Sequence, residues 1–230
     1  MNMAKFRNIR ERLIATMMAP VVTYGLDPDP AGNAVLHSFF RRCLSMEQPR
    51  VLELGTSRSE PGRSTRHEHW VRHAGEYLGT DIVAGIDVDI VADVHRLTQV
   101  TGHEQFDVII SCSAFEHFKY PHLAAHEVLK ALRVGGLLFV QTHQAYPLHA
   151  HPYDYFRFST EALAGLFGSQ MGFRVLNTGY EFPAKVYAGK GYEGKRMTTQ
   201  HVPAFLNVSL YGEKIGKTPG DYIYEFDALK

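Results

Sequence analysis

Short apolar runs alternate along this chain with stretches of helical periodicity. The run Arg50-Val-Leu-Glu-Leu-Gly-Thr56 predicts a first strand, and similar runs over 76–81, 88–93, 106–112 and 137–141 predict four more. The run over 106–112 is nearly continuous in apolar residues, as a strand covered on both faces should be. Between the strands, Val35, Leu36, Phe39, Phe40, Cys43 and Leu44 share one side of a helix that Pro49 ends. Ser64 or Thr65 is placed to cap a helix carrying Trp70 and Val71, closed by Gly75. Leu123, Val128, Leu129 and Leu132 fall at helical spacing over 116–132, and Arg133-Val-Gly-Gly136 stops that helix. A helix over 160–167 and strands over 173–178 and 204–211 follow. Strand, helix, strand with short links predicts a doubly wound α/β sheet.

Outside that core, Phe6, Ile9, Leu13 and Met17 predict a basic amphipathic helix over 4–18, packed on the chain itself or lying on a membrane surface. Residues 188–199 read as a mobile loop or insertion. With no internal repeat, the 230 residues read as one domain: N-terminal helices over 1–48, a core over 49–180, and a loop, last strand and tail over 181–230. The aromatic tail Tyr222-Ile-Tyr-Glu-Phe226 can dock on this chain or on a neighbour, so a homodimer is an open possibility.

Charge narrows the partners. Lys+Arg and Asp+Glu both number 24, and this balance argues against a polynucleotide held by its phosphates. Cys43 and Cys112 form no CxxC pair, no apolar run is long enough to span a bilayer, and the opening residues lack a secretion signal. These features predict a cytoplasmic protein.

The candidate chemistry sits at strand ends. In an open parallel sheet, ligands bind outside the carboxyl ends of the strands. Glu53 and Gly55 occupy the first such end, Asp81 the second and Asp93 the third. Glycine admits close backbone approach, and an acid at the second end can accept from both hydroxyls of a ribose. This pattern describes a nucleoside-cofactor site; a nicotinamide site would show GxGxxG, which is absent.

These residues, with Phe106-Asp-Val-Ile-Ile-Ser111, Phe115-Glu-His117 and Leu132-Arg-Val-Gly-Gly136, resemble the class I S-adenosylmethionine-dependent methyltransferases of the type 11 kind, over roughly 48–180. The resemblance implies a Rossmann-like fold, a seven-stranded mostly parallel sheet whose last strand is inserted antiparallel, with an N-terminal helical lid. It implies S-adenosyl-L-methionine as cofactor, with the loop of Gly55, Thr56 and Ser57 beside its amino-acid end. Glu53 would support that loop or receive the ammonium. Asp81 would hold the ribose, Ile82 would pack on the adenine, and Asp93 and the Val94 N–H would meet the adenine edge. Ser111 and Ser113 would line the pocket near the sulfonium. The loop departs from the family in having fewer glycines, and it carries Arg58, which can meet the cofactor carboxylate.

One more stretch asks for a role: Thr142-His-Gln-Ala-Tyr-Pro-Leu-His-Ala-His-Pro-Tyr-Asp-Tyr-Phe-Arg-Phe158. The loop leaves the sheet at the cofactor edge and can face a substrate. His143, His151 and His117 are candidate general bases. His143, His149, His151 and Asp154 could instead ligate a metal, but their spacings match no compact zinc site and no metal is assigned. In a third reading Asp154 pairs with Arg157 and the tyrosines pack the loop down. Tyr146, Tyr153, Tyr155 and Phe156 would form an aromatic wall for a small acceptor. The expectation is methyl transfer to an oxygen or nitrogen of a small molecule. Two other readings stay open: a non-catalytic scaffold with this fold, and a metal-dependent enzyme using the histidine loop.

Overall fold

The computed structural model describes residues 34–58, 64, 66–186 and 203–223. The helix expected over 4–18, the loop over 188–199 and the tail past Ile223 lie outside them. Seven strands run in chain order: β1 (Arg50–Leu54), β2 (Glu76–Asp81), β3 (Ile90–Val91), β4 (Phe106–Cys112), β5 (Leu132–His143), β6 (Phe173–Ala184) and β7 (Ala204–Lys214). They form one sheet in the order β3-β2-β1-β4-β5-β7-β6, with β7 antiparallel to both neighbours. The fold is the Rossmann-like methyltransferase fold, with the reversal of strand order between β1 and β4. Carboxyl ends of adjacent parallel strands therefore converge on one rim.

The pleat sends alternate residues to opposite faces. Leu52, Leu54, Ile109, Leu138 and Val140 pack on one side with α2 (Leu97–Thr101), α3 (Pro121–Ala131) and α4 (Thr160–Leu166). Val51, Val108, Ile110, Leu137 and Phe139 pack on the other with α1 (Ala34–Cys43). Phe39 of α1 is fully buried, its ring 5.2 Å from that of Phe139. This helix, expected as part of a lid, lies on the sheet face because Val35, Leu36, Phe39 and Cys43 form an apolar stripe that the sheet buries.

Several predicted elements change on folding. Among the described residues of 64–75 no α-helix forms; a 3-10 turn, Glu68–Trp70, stands there, and Trp70 packs edge-on to Phe40 and Phe139 over the second core. The strand over 88–93 shrinks to Ile90–Val91; before it the Asp89 N–H donates to the Gly79 carbonyl, and the Asp89 carboxylate, in place of a backbone carbonyl, accepts from the Gly79 N–H at 2.7 Å. The helix over 116–132 begins only at Pro121, which suits a first helical turn, and Phe115–His117 forms a separate 3-10 turn. β5 starts at Leu132, paired with Phe106 across an irregularity, and Gly135 takes the bend at φ +83°. β6 and β7 extend past 178 and 211 as a long antiparallel pair. As far as it is described, the tail docks on its own chain: the Tyr222 hydroxyl donates to the Gly165 carbonyl at 3.2 Å.

Candidate functional site

Two neighbouring parts of the rim hold the predicted residues. At the ends of β1 to β3, Gly55 adopts φ +75°, and a Cβ there would stand 2.8 Å from the Ala114 Cβ, so glycine is required twice over. The N–H groups of Gly55 and Thr56 both donate to the Thr80 carbonyl, and the buried Thr56 hydroxyl donates to the Asp87 carbonyl at 2.7 Å. Asp81 accepts from the Ser57 N–H at 3.1 Å and the Val83 N–H at 3.3 Å, which leaves its carboxylate with lone pairs to spare. Ile82 beside it is 67% exposed, a large apolar side chain with a face open to a planar ring. Asp93 caps the turn Val94–Arg96, taking the His95 N–H at 3.0 Å and the His95 Nδ1 at 2.7 Å. Burial alone would raise the Asp93 carboxyl, but these bonds outweigh it and hold it below its ordinary value. Ser111 is fully buried with an unpartnered hydroxyl, and Ser113 is exposed at φ +51°.

Two predicted contacts read differently in the structure. Glu53 is buried and accepts from the His67 N–H at 2.8 Å, His67 Nδ1 at 2.6 Å and the Tyr77 hydroxyl at 2.5 Å. Its carboxylate is thus taken up by donors of its own chain, from the 3-10 turn region and from β2. Burial, then the Glu53 charge, push the Tyr77 phenol far above its ordinary range. Arg58, expected at the cofactor carboxylate, is committed to Asp87 at 3.1 Å. A nearby carboxylate is a better partner than water for a guanidinium on a side chain only 16% exposed.

At the ends of β4 and β5, four residues meet. Glu116 is fully buried; its Oε2 accepts from the Thr142 hydroxyl at 2.6 Å, while its Oε1 has no hydrogen-bond donor. Three imidazoles face that oxygen: His143 Nε2 at 3.0 Å, His117 Nε2 at 3.7 Å and His149 Nε2 at 3.8 Å. Burial lowers the His143 pKa against the raising influence of Glu116. The Tyr146 ring stacks on His143 at 4.1 Å. Asp154 and Arg157 pair through two bonds of 2.6 and 2.8 Å, and Asp154 also accepts the His149 N–H at 2.9 Å. Arg157 further donates to the carbonyls of Tyr146 and Pro147, so the clamp fixes the very segment that carries His149. His151, a predicted base, is exposed and stands outside this group. Sequence reasoning gave Glu116 no role; its only signal was a lone acid between Phe115 and His117 just past a buried strand.

Comparison with known proteins gives the family and the fold. A family model, "Methyltransferase domain", covers residues 19–177, and the chain belongs to that family. No curated protein sequence matches it. Among solved structures, it is similar to a candidate methyltransferase, BH2331, of Bacillus halodurans C-125 (TM-score 0.58, 12% identity, 80% of this chain and 100% of that one). It is also similar to 1,6-didemethyltoxoflavin-N1-methyltransferase of Burkholderia thailandensis, solved with its substrate and S-adenosylhomocysteine (TM-score 0.52, 14% identity, 83% and 80%). A third match is a chain from the complex of the Trm112 methyltransferase activator with a methyltransferase of Haloferax volcanii (TM-score 0.51, 18% identity, 80% and 91%). At these identities the likeness is one of fold. Among the described residues no helix is long and apolar enough to cross a membrane.

Proposed function

We propose that this chain transfers a methyl group from S-adenosylmethionine to an oxygen or nitrogen of a small-molecule acceptor. The observation that carries the reading is the run of three successive strand ends bearing Gly55 at φ +75°, Asp81 beside the exposed Ile82, and Asp93. Asp81 would take the ribose hydroxyls, Ile82 would cover the adenine, and Asp93 with the Val94 N–H would meet its edge. Ser57 and the exposed Ser113 would line the remainder, whereas the side chains of Thr56 and Ser111 are buried behind them. The cofactor supplies an electrophilic methyl group, and displacement at carbon then depends on placing the acceptor atom in line with it. The likeness to a toxoflavin-precursor methyltransferase supports a small heterocyclic or aromatic acceptor, to which Tyr146, Tyr153, Tyr155 and Phe156 offer an aromatic wall. Among the candidate bases, His117 is placed best: its Nδ1 is anchored on the Tyr153 carbonyl at 2.7 Å and a quarter of its side chain is exposed. His143 is buried and His151 stands apart.

Calorimetric titration with S-adenosylhomocysteine tests the reading. Micromolar binding is expected, and no heat at millimolar ligand would end it. Such a result would favour the scaffold alternative, in which the fold is kept without the cofactor.

A further inference from the structure

We infer that Glu116, His143 and His149 form a binding site for one divalent first-row transition-metal ion of zinc type. Their candidate ligand atoms all lie within 4.8 Å of one another. The case begins with the Glu116 Oε1 atom, wholly buried and without a hydrogen-bond donor. A buried carboxylate oxygen is costly unless a donor or cation meets it. None of the neighbouring rings makes a hydrogen bond to it. His143 Nδ1 lies 3.0 Å from the Asn207 side-chain oxygen, and His149 Nδ1 lies 3.2 Å from the Pro147 carbonyl. His117 Nδ1 lies 2.7 Å from the Tyr153 carbonyl. A carbonyl oxygen cannot donate, so a neutral ring with its proton on Nδ1 satisfies these contacts and leaves Nε2, on the Glu116 side, as the acceptor.

Lone pairs gathered around an anionic oxygen repel one another, and a cation at their focus reverses the sign. Anchoring Nδ1–H on an oxygen acceptor is also how proteins orient imidazole ligands, and the Thr142 bond to Oε2 braces the carboxylate likewise. The spacing suits the ion. Ligands at about 2.0–2.1 Å in a tetrahedron stand about 3.3 Å apart, against 3.0 and 3.8 Å from Oε1 to the His143 and His149 nitrogens. Two imidazoles and one carboxylate match zinc, ferrous or nickel ions, whereas magnesium and calcium prefer oxygen alone. Three protein ligands leave one position open, with the partly exposed His117 at its mouth. Given the methyl-transfer reading, on which only this extension rests, that position would hold the acceptor's oxygen or nitrogen.

The test uses untagged full-length protein stripped by chelator and titrated with Zn(II), then Co(II). One equivalent should bind with a Kd below about 1 µM, and Co(II) should give the intense visible bands of low coordination number. His149→Ala, a partly exposed position, should weaken zinc by about 100-fold or more. Glu116→Gln should do the same, and His151→Ala should leave affinity unchanged. No saturable zinc binding, or equal affinity in His149→Ala and the parent, would overturn the site and assign uptake to other histidines. S-adenosylhomocysteine titrated into the same samples separates the two proposals. Cofactor binding without zinc binding defeats the metal site alone, and zinc binding without cofactor binding supports the site while defeating the methyl-transfer reading.

Discussion

Glu53 in β1 and Glu116 just past the neighbouring β4 are both buried carboxylates beside histidine, and their surroundings are opposite. Glu53 receives a backbone N–H, a ring nitrogen and a phenol from its own chain. Glu116 receives one hydroxyl on Oε2, while its Oε1 has three ring nitrogens near it and no hydrogen bond. The first arrangement is complete and serves the fold. The second leaves a buried carboxylate oxygen unsatisfied beside imidazole nitrogens, which is the feature the proposed metal site rests on. An acid at a strand end is thus defined by its unsatisfied atoms, not by its position alone.

The largest expected effect tests that contrast directly. Glu53→Gln should lower the unfolding free energy by roughly 2–3 kcal/mol, since three bonds to a buried charge are weakened together. Glu116→Gln in metal-free protein should change it by less than about 0.5 kcal/mol, because a glutamine N–H can donate to His143 Nε2 and quiet the repulsion. Urea unfolding in the presence of a chelator reads both. Equal losses in the two variants would erase the distinction drawn between these carboxylates.

The frame of the fold was readable because strand burial leaves a local signature. β2 matches its prediction of 76–81, alternating strands and helices predicted the doubly wound sheet, and the antiparallel last strand was expected from the family resemblance alone. The helix expected over 64–75 failed because its residues serve distant partners: His67 meets Glu53, Arg66 meets Asp89 and the Tyr77 carbonyl, and Trp70 meets Phe139. Tertiary demand overrode helical periodicity there. The Asp154–Arg157 pair was legible from spacing. Its consequence was not, since the sequence cannot show that this clamp turns His149 inward while His151 stays exposed. Glu116 was missed for a related reason: its partners Thr142 and His143 arrive from the end of another strand.

Two smaller effects should separate the two parts of the rim. Asp154→Ala removes the clamp that places His149, and zinc affinity should fall by about 10- to 100-fold with cofactor affinity unchanged. Asp81→Asn should weaken S-adenosylhomocysteine by about tenfold, through loss of a charged acceptor, and leave zinc affinity alone. Both follow from titrations of the two ligands into each variant. A variant that lost both ligands together would mean that the two regions are one cooperative unit.

The smallest effect concerns acid stability at the contact between α2 and α3. Glu127 of α3 accepts from the Thr98 N–H at 2.8 Å, the Thr98 hydroxyl at 2.5 Å and Lys130 Nζ at 2.5 Å, tying α3 to α2. Burial would raise its carboxyl, yet the bonds from Lys130 and Thr98 outweigh burial and hold it below the ordinary 4.5. A carboxyl whose folded pKa is depressed stabilises the fold fully above its unfolded value and loses that contribution as pH falls through the lower folded one. Unfolding free energy should therefore be flat in this respect above about pH 5 and decline below about pH 4.5, by no more than about 1.4 kcal/mol per pH unit for this group. Glu127→Gln should flatten that decline while costing stability at neutral pH, and urea unfolding at pH 6, 4 and 3 measures both. An unchanged acid slope in the variant would show that Asp93 and the other carboxylates carry the effect, and that the tie between α3 and α2 does not depend on the Glu127 charge.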